Sequence, residues 1–274
     1  MNRTLLFPAT LVACLSACGG GGGSDVGGVR SSSIYQPEPG VTFHWQLQGT
    51  INTGYDVDIY DIDLEDTDEG TIADLQAAGR KVICYFSAGS YEEWRSDEAD
   101  FPAAVRGNDL DGWEGEQWLD IRSDTVRDIM TARLDMARDK GCDGVEPDNV
   151  DGYTNDTGFS LTGADQLSYN RFLATEAHDR NLSIALKNDL DQIEDLVDDF
   201  DFAVNEECYQ YDECDALAPF IDAGKAVLHV EYDETLTNDS VARQAFCSEL
   251  SSTGLSTAVL PLDLDGTFAL NCWD

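Results

Sequence analysis

Positive charge is scarce in this chain. Its 274 residues hold 16 Lys and Arg against 54 Asp and Glu, a formal net charge of −38. So acidic a molecule repels phosphates, which argues against a nucleic-acid partner. It suits a saline habitat or a cationic ligand instead. Histidine is nearly absent as well, with three residues. His178 falls in a helical pattern and His44 and His229 inside strand patterns, where packing roles are expected. No H-E-x-x-H, G-x-S-x-G or C-x-x-C occurs, which argues against a zinc protease, a serine esterase and a thiolate zinc site. No G-x-G-x-x-G follows the first strand candidate, so no dinucleotide cofactor is expected. Beyond the N-terminus no apolar run approaches the ~18 residues that a membrane helix needs.

The N-terminus has the pattern of a processing signal. Arg3 supplies a positive start, Leu5 to Val12 a short apolar stretch, and Leu15-Ser16-Ala17-Cys18 resembles a bacterial lipobox. Residues 1–17 are expected to be removed and Cys18 to be acylated, giving an exported protein, lipid-anchored to the cell envelope or secreted. Cleavage takes away Arg3 and no acid, leaving the mature chain one unit more negative. The glycine run from Gly19 and the serines up to Ser33 indicate a flexible tether over 18–40. Residues 41–274 are enough for one domain with a substantial core. Six cysteines remain, an even number that favours disulfides in an exported protein. Cys208 with Cys214 and Cys247 with Cys272 are the expected pairs; Cys84 and Cys142 are either a third pair or buried thiols.

Short apolar segments alternate with helical patterns. The strand candidates are Thr42–Leu47, Val57–Leu64, Lys81–Ser87, Asp143–Asp148, Ser183–Asn188, Phe202–Glu206, Ala226–Tyr232 and Ser256–Leu262. Helices are expected over Thr71–Ala78, Thr125–Lys140, Ala164–Arg180, Gln192–Phe200, Ala216–Ala223 and Val241–Ser251. Eight strands with helical crossovers predict an α/β fold, a single-domain (β/α)8 TIM-like barrel. Two connections are long, from Ala88 to Asp124 with Trp94, Trp113 and Trp118, and from Asn149 to Gly163 with Tyr153 and Phe159. In a barrel such loops lie on the C-terminal face, where active sites sit.

Polar residues gather where the strands stop: Asp61 and Asp63, Tyr85, Glu146 and Asp148, Lys187 and Asn188, Glu206 and Glu207, Glu231. Carboxylates finishing apolar strands would be costly in an ordinary core, but at a barrel mouth they converge on a wet cleft. Many acids and few bases suit glycoside hydrolysis, in which one carboxyl protonates the leaving oxygen and another attacks carbon or activates water. Of Glu206 and Glu207 only one can face the cleft in regular geometry, because alternate strand residues point oppositely. Asp263 to Gly266 and Asp61 to Glu69 lack the spacing of a calcium loop, and no metal is expected.

The runs Val-Ile-Cys-Tyr-Phe-Ser-Ala-Gly-Ser-Tyr-Glu (82–92), Gly-Glu-Gln-Trp-Leu-Asp-Ile-Arg (115–122), Gly-Cys-Asp-Gly-Val-Glu-Pro-Asp-Asn-Val-Asp (141–151) and Phe-Ala-Val-Asn-Glu-Glu-Cys (202–208) carry a resemblance. With Tyr-Asp-Ile-Asp-Leu (60–64) and Leu-Lys-Asn-Asp (186–189), they resemble glycoside hydrolase family 114, from Trp45 to Tyr232 in the family's order. The resemblance implies a TIM-barrel endo-α-1,4-polygalactosaminidase, with Asp148 as nucleophile in a retaining reaction and Glu206 as acid/base. Asp61, Asp63, Tyr85, Glu146, Lys187, Asn188 and Glu231 are then candidate substrate-binding residues, with Lys187 alternatively a structural partner of Glu146. The implied partner is a cationic, galactosamine-containing polysaccharide, and the protein is expected to act as a monomer. The competing expectation is a catalytically silent barrel that binds extracellular polysaccharide.

Overall fold

The computed structural model describes residues 34–273. Its sheet holds the eight predicted strands in chain order: β1 (Phe43–Gln46), β2 (Ile59–Asp63), β3 (Lys81–Ser87), β4 (Gly144–Asp148), β5 (Ser183–Lys187), β6 (Phe202–Glu206), β7 (Val227–Glu231) and β8 (Ser256–Val259). Every neighbouring pair in that order is parallel. Helices α1 (Glu69–Ala77), α2 (Asp124–Lys140), α3 (Gly163–Asp179), α4 (Ile193–Leu196), α5 (Ala218–Asp222), α6 (Glu234–Asn238) and α7 (Ser240–Leu250) occupy the connections; α6 was not anticipated. Local signals set their ends. Thr162 and Asp165 form a reciprocal capping box at the start of α3, and α2 stops at Gly141, whose φ of 85° favours glycine.

Strand parity divides the core in two. Phe43, Trp45, Ile59, Ile83, Ala185, Phe202, Val204, Leu228, Val230 and Ala258 cluster inside the curled sheet. Their alternates, such as Tyr60, Val82, Cys84, Val145, Ile184 and Val227, face the helices in a larger cluster. Among the described residues β8 and β1 share no ladder. Their seam is held by the Ser256 hydroxyl donating to the Val41 carbonyl at 2.5 Å and by the Leu47 amide donating to the Leu264 carbonyl at 2.9 Å. The segment Leu270–Asn271 pairs antiparallel with β8, and Trp273 meets Phe43 with ring centroids 5.3 Å apart. No helix among the described residues is long and apolar enough to cross a membrane.

Two boundaries differ from expectation. Residues 34–40, assigned to the tether, belong to the domain: Tyr35 packs against the interior cluster and the Pro37 carbonyl accepts the Ala226 amide at 2.9 Å. The export signal, Cys18 and the rest of the tether lie outside the described residues. The connection after β3 is more than a loop. Ser90–Glu92, Arg106–Asp109 and Glu116–Leu119 form a small antiparallel sheet with the last strand central. Its entry requires glycine, because a Cβ on Gly89 would stand 1.6 Å from the Asn149 carbonyl oxygen. Buried arginines fasten the excursion to the barrel. Arg95 takes Asp63 through two hydrogen bonds, at 2.9 and 2.8 Å, and pairs with Glu92 at 2.7 Å. Arg133 of α2 binds Asp97 and the Ser87 carbonyl.

All six described cysteines are paired: Cys84–Cys142, Cys208–Cys214 and Cys247–Cys272. His229 lies near Cys208 and Cys214, but their bonded sulfurs offer no thiolate to a metal. The Cys84–Cys142 bridge spans 58 residues and ties β3 to the turn before β4. Replacing both cysteines by serine should cost about 2–4 kcal/mol of unfolding free energy. Urea titration checks this, and an unchanged midpoint would show that the bridge does not constrain the chain.

Candidate active site

Strands β4, β5 and β6 end side by side, and each delivers one charged side chain to the barrel mouth. Lys187 is 2% exposed, and its Nζ lies 3.0 Å from Asp148 Oδ1 and 2.9 Å from Glu206 Oε2. Burial alone would lower the lysine's pKa. Asp148, Glu206 and Glu146 overcome that and hold it well above its ordinary value, so the ammonium is permanent. Its underside rests 5.0 Å from the centre of the Trp45 ring.

Each carboxylate of the pair is further fixed by a phenol. The Tyr85 hydroxyl donates to Asp148 Oδ2 at 3.0 Å, and the Asn149 amide donates to Oδ1 at 2.7 Å. The Tyr232 hydroxyl donates to Glu206 Oε1 at 2.5 Å. Both phenols are driven well above their ordinary pKa, first by burial and then by these carboxylates, so they remain donors. Asn188 Oδ1 accepts the Glu206 backbone amide at 3.0 Å, and Nδ2 of the same side chain reaches Glu206 Oε2 at 3.4 Å. The strands break just past these residues. Asn149, Asn188 and Glu207 adopt positive φ, which asparagine tolerates better than most residues. At Glu207 the chain turns, and among the described residues Glu206 alone of the two pairs with Lys187, while Glu207 lines the adjoining cavity toward Tyr153.

Beneath the ammonium, Asp61 (1% exposed) and Glu146 (0% exposed) face one another. Burial, above all, pushes Asp61 up to about 7, and Glu146 goes well above its ordinary range, further raised by Asp61. Among the described residues their oxygens accept no hydrogen bond, the Lys187 ammonium standing 3.6 Å from Glu146 Oε1, so a proton held between the two carboxyls stabilises both. Neither lines the cleft.

The candidate residues therefore separate. Asp148, Glu206, Tyr85, Lys187 and Asn188 line one cavity of about 310 Å³ with Trp45, Trp113 and Trp118. Asp61 and Glu146 form its floor support. Asp63 lines the neighbouring cavity toward Trp94, not the central one, and its oxygens are engaged by Arg95 and by the Glu65 and Asp66 amides. Glu231 is corrected. It shares parity with Val227 and His229, faces the helices, and accepts from His229 Nε2 and the Tyr209 amide at 2.9 Å each. The next residue, Tyr232, takes the inward place that was assigned to it. Applying to β7 the parity used for Glu206 would have found Tyr232. Glu116 was also missed, because no periodic pattern marks its short strand.

The central cavity continues on both sides. It shares Trp113, Asp151, Asn188 and Glu206 with a second cavity toward Tyr153 and Tyr211, and Tyr85 and Glu116 with another toward Trp94. The result is an open groove with the carboxyl pair near its middle.

The model of glycoside-hydrolase family GH114 matches residues 28–272. The chain belongs to glycoside hydrolase family 114. This GH114 chain is 48% identical to Aspergillus fumigatus Ega3, solved in complex with galactosamine. That match covers 89% of this chain and 100% of the other, with a TM-score of 0.83. Two more distant structures share the fold alone. The glycoside hydrolase domain of PelA from Pseudomonas aeruginosa is 14% identical over 84% of this chain and 98% of its own, with a TM-score of 0.67. The trehalulose synthase MutB from Pseudomonas mesoacidophila is 12% identical over 69% and 56%, with a TM-score of 0.51. No protein with a curated description matches the sequence significantly.

The buried acid pair has a consequence for stability in this GH114 member. Asp61 holds its proton up to a pH of about 7 in the fold but only to about 3.9 in the unfolded chain. The folded state therefore binds the extra proton between those values, and stability from this site falls as pH rises through them. Asp61→Asn should gain on the wild type by a few kcal/mol at most between pH 4.5 and 7.5. Urea midpoints of both proteins at the two pH values test it; a pH-independent difference would remove the assignment.

Proposed function

We propose that this protein cleaves α-1,4-linked, galactosamine-containing polysaccharide internally, with retention of anomeric configuration. The observation that carries the reading is the Asp148–Lys187–Glu206 triplet, in a chain 48% identical to Ega3, which is solved with galactosamine. With both carboxylates bound to one nitrogen, their nearer oxygens are no more than about 6 Å apart, in keeping with the ~5–5.5 Å of retaining pairs and below the inverting range. In this reading Asp148, oriented by Tyr85 and the Asn149 amide, attacks the anomeric carbon. Glu206, held by Tyr232, donates a proton to the departing oxygen. The glycosyl–Asp148 ester is then hydrolysed by a water whose proton passes to Glu206.

An internal cut suits a groove open on both sides of the pair, since a chain can lie across it. The net charge of −38 raises the local concentration of a polycation. Lys187 bears on the chemistry through the pair itself: it keeps two like charges close enough to flank one glycosidic bond. We further place the mature protein at the cell envelope, anchored through Cys18.

Asp148→Asn and Glu206→Gln should each lower turnover on deacetylated galactosaminan by roughly a thousandfold or more. Proton NMR of the first-formed oligomers should show the α-anomer. Full activity in either variant would remove that residue from the chemistry, and an initial β-product would exclude retention. Cys18→Ser should move the expressed protein from the membrane fraction to the soluble one; unaltered membrane fractionation would rule out the anchor.

A further inference from the structure

We propose that Glu116 is a specificity-determining residue, whose free carboxylate oxygen receives the ammonium of an unacetylated amino-sugar unit bound beside Asp148. The inference rests on the substrate reading above and deepens it. Glu116 sits on the central strand of the excursion, 7% exposed, and lines both the central cavity and the one toward Trp94. Its Oε2 accepts the Ser90 hydroxyl at 2.7 Å. Its Oε1 accepts no hydrogen bond and, among the described residues, no lysine or arginine pairs with Glu116. The nearby cation, Arg95, is committed to Asp63 and Glu92. A nearly buried carboxyl that faces a cavity without a cation is costly by itself. A cation carried by the ligand removes that cost.

The surroundings present Glu116 as an acceptor. Asn149 Nδ2 donates to Ser87 Oγ at 2.9 Å, and the Ser90 amide donates to the same oxygen at 3.1 Å. With the Ser90 proton on Glu116, the 2.6 Å contact between the two hydroxyls must be donated by Ser87. The donors thus run in one direction, from the residue following Asp148 to Glu116. The charged and titratable groups around it are Glu92 on the neighbouring strand, Asp148 of β4, Tyr85 of β3 and Arg95. Burial first, and then Glu92 and Asp148, push its carboxyl up to about 7, and an incoming ammonium would draw that proton off. Trp113 and Trp118 flank the same cavity with apolar surface suited to a sugar face. An N-acetyl group at this position would leave the carboxylate desolvated and unpaired, the kind of mismatch a polar site rejects strongly.

The test digests a partly N-acetylated galactosamine polymer and reads the acetylation of each unit flanking the cut by tandem mass spectrometry. The wild type should leave one position, at a fixed distance from the cut, almost always unacetylated. Glu116→Gln should weaken that exclusion about tenfold. Cleavage with random acetylation at every flanking position, or the same exclusion in Glu116→Gln, overturns the inference and leaves the substrate reading intact. No cleavage by the wild type sinks both.

Discussion

A single buried ammonium organises the mouth of this barrel. Lys187, on β5, cannot leave water without partners, and the two flanking strands supply them: Glu146 and Asp148 from β4 and Glu206 from β6. The dependence is mutual. Without the lysine, two carboxylates at the rim and an acid pair below would face one another across a poorly solvated space. The proton shared by Asp61 and Glu146 completes the balance, because a second full negative charge under the ammonium would have no cation of its own. Reach and charge are thereby set together, and the geometry available to a sugar follows from them.

That arrangement would lie open to solvent without the excursion after β3. The small sheet carries Trp113, Glu116 and Trp118 over one side of the cleft, and its position is fixed both by the buried Tyr91, Phe101, Val105 and Leu119, which join the core, and by charge. Arg95 and Arg133 spend their donors on Asp63, Glu92, Asp97 and a β3 carbonyl. Gly89 lets the backbone of the excursion lie directly on the end of β4. A shift of this roof would move Asn149, and with it the amide that orients Asp148.

The eight strands were legible because each is a short apolar run closed by a polar residue, and the convergence of Asp148, Lys187 and Glu206 followed from their places at adjacent strand ends. What failed was finer. Asp63 looks like a free cleft acid until Arg95, thirty-two positions later, is known to arrive beside it. Glu231 was favoured for its chemistry although its parity points it at the helices, while Tyr232 carried the contact. The excursion sheet escaped notice because strands of three or four residues show no measurable period. Tyr35 and Pro37 were lost to the tether because their partners are distant in sequence: Lys81 of β3 over the Tyr35 ring, and Ala226, just before β7, on the Pro37 carbonyl.

The seam between β8 and β1 bears on how the molecule is assembled. Its first strand waits for the last residues of the chain: the Leu264 carbonyl, the Leu270–Asn271 strand, Trp273 and the Cys247–Cys272 crosslink. A polypeptide made from its N-terminus can form the arc from β1 to β7 early, yet the ring stays an open horseshoe until residues 256–273 have been made. Completion is therefore a late event, and a nascent or C-terminally clipped chain would present an unzipped edge of apolar staves to whatever chaperone or protease meets it first.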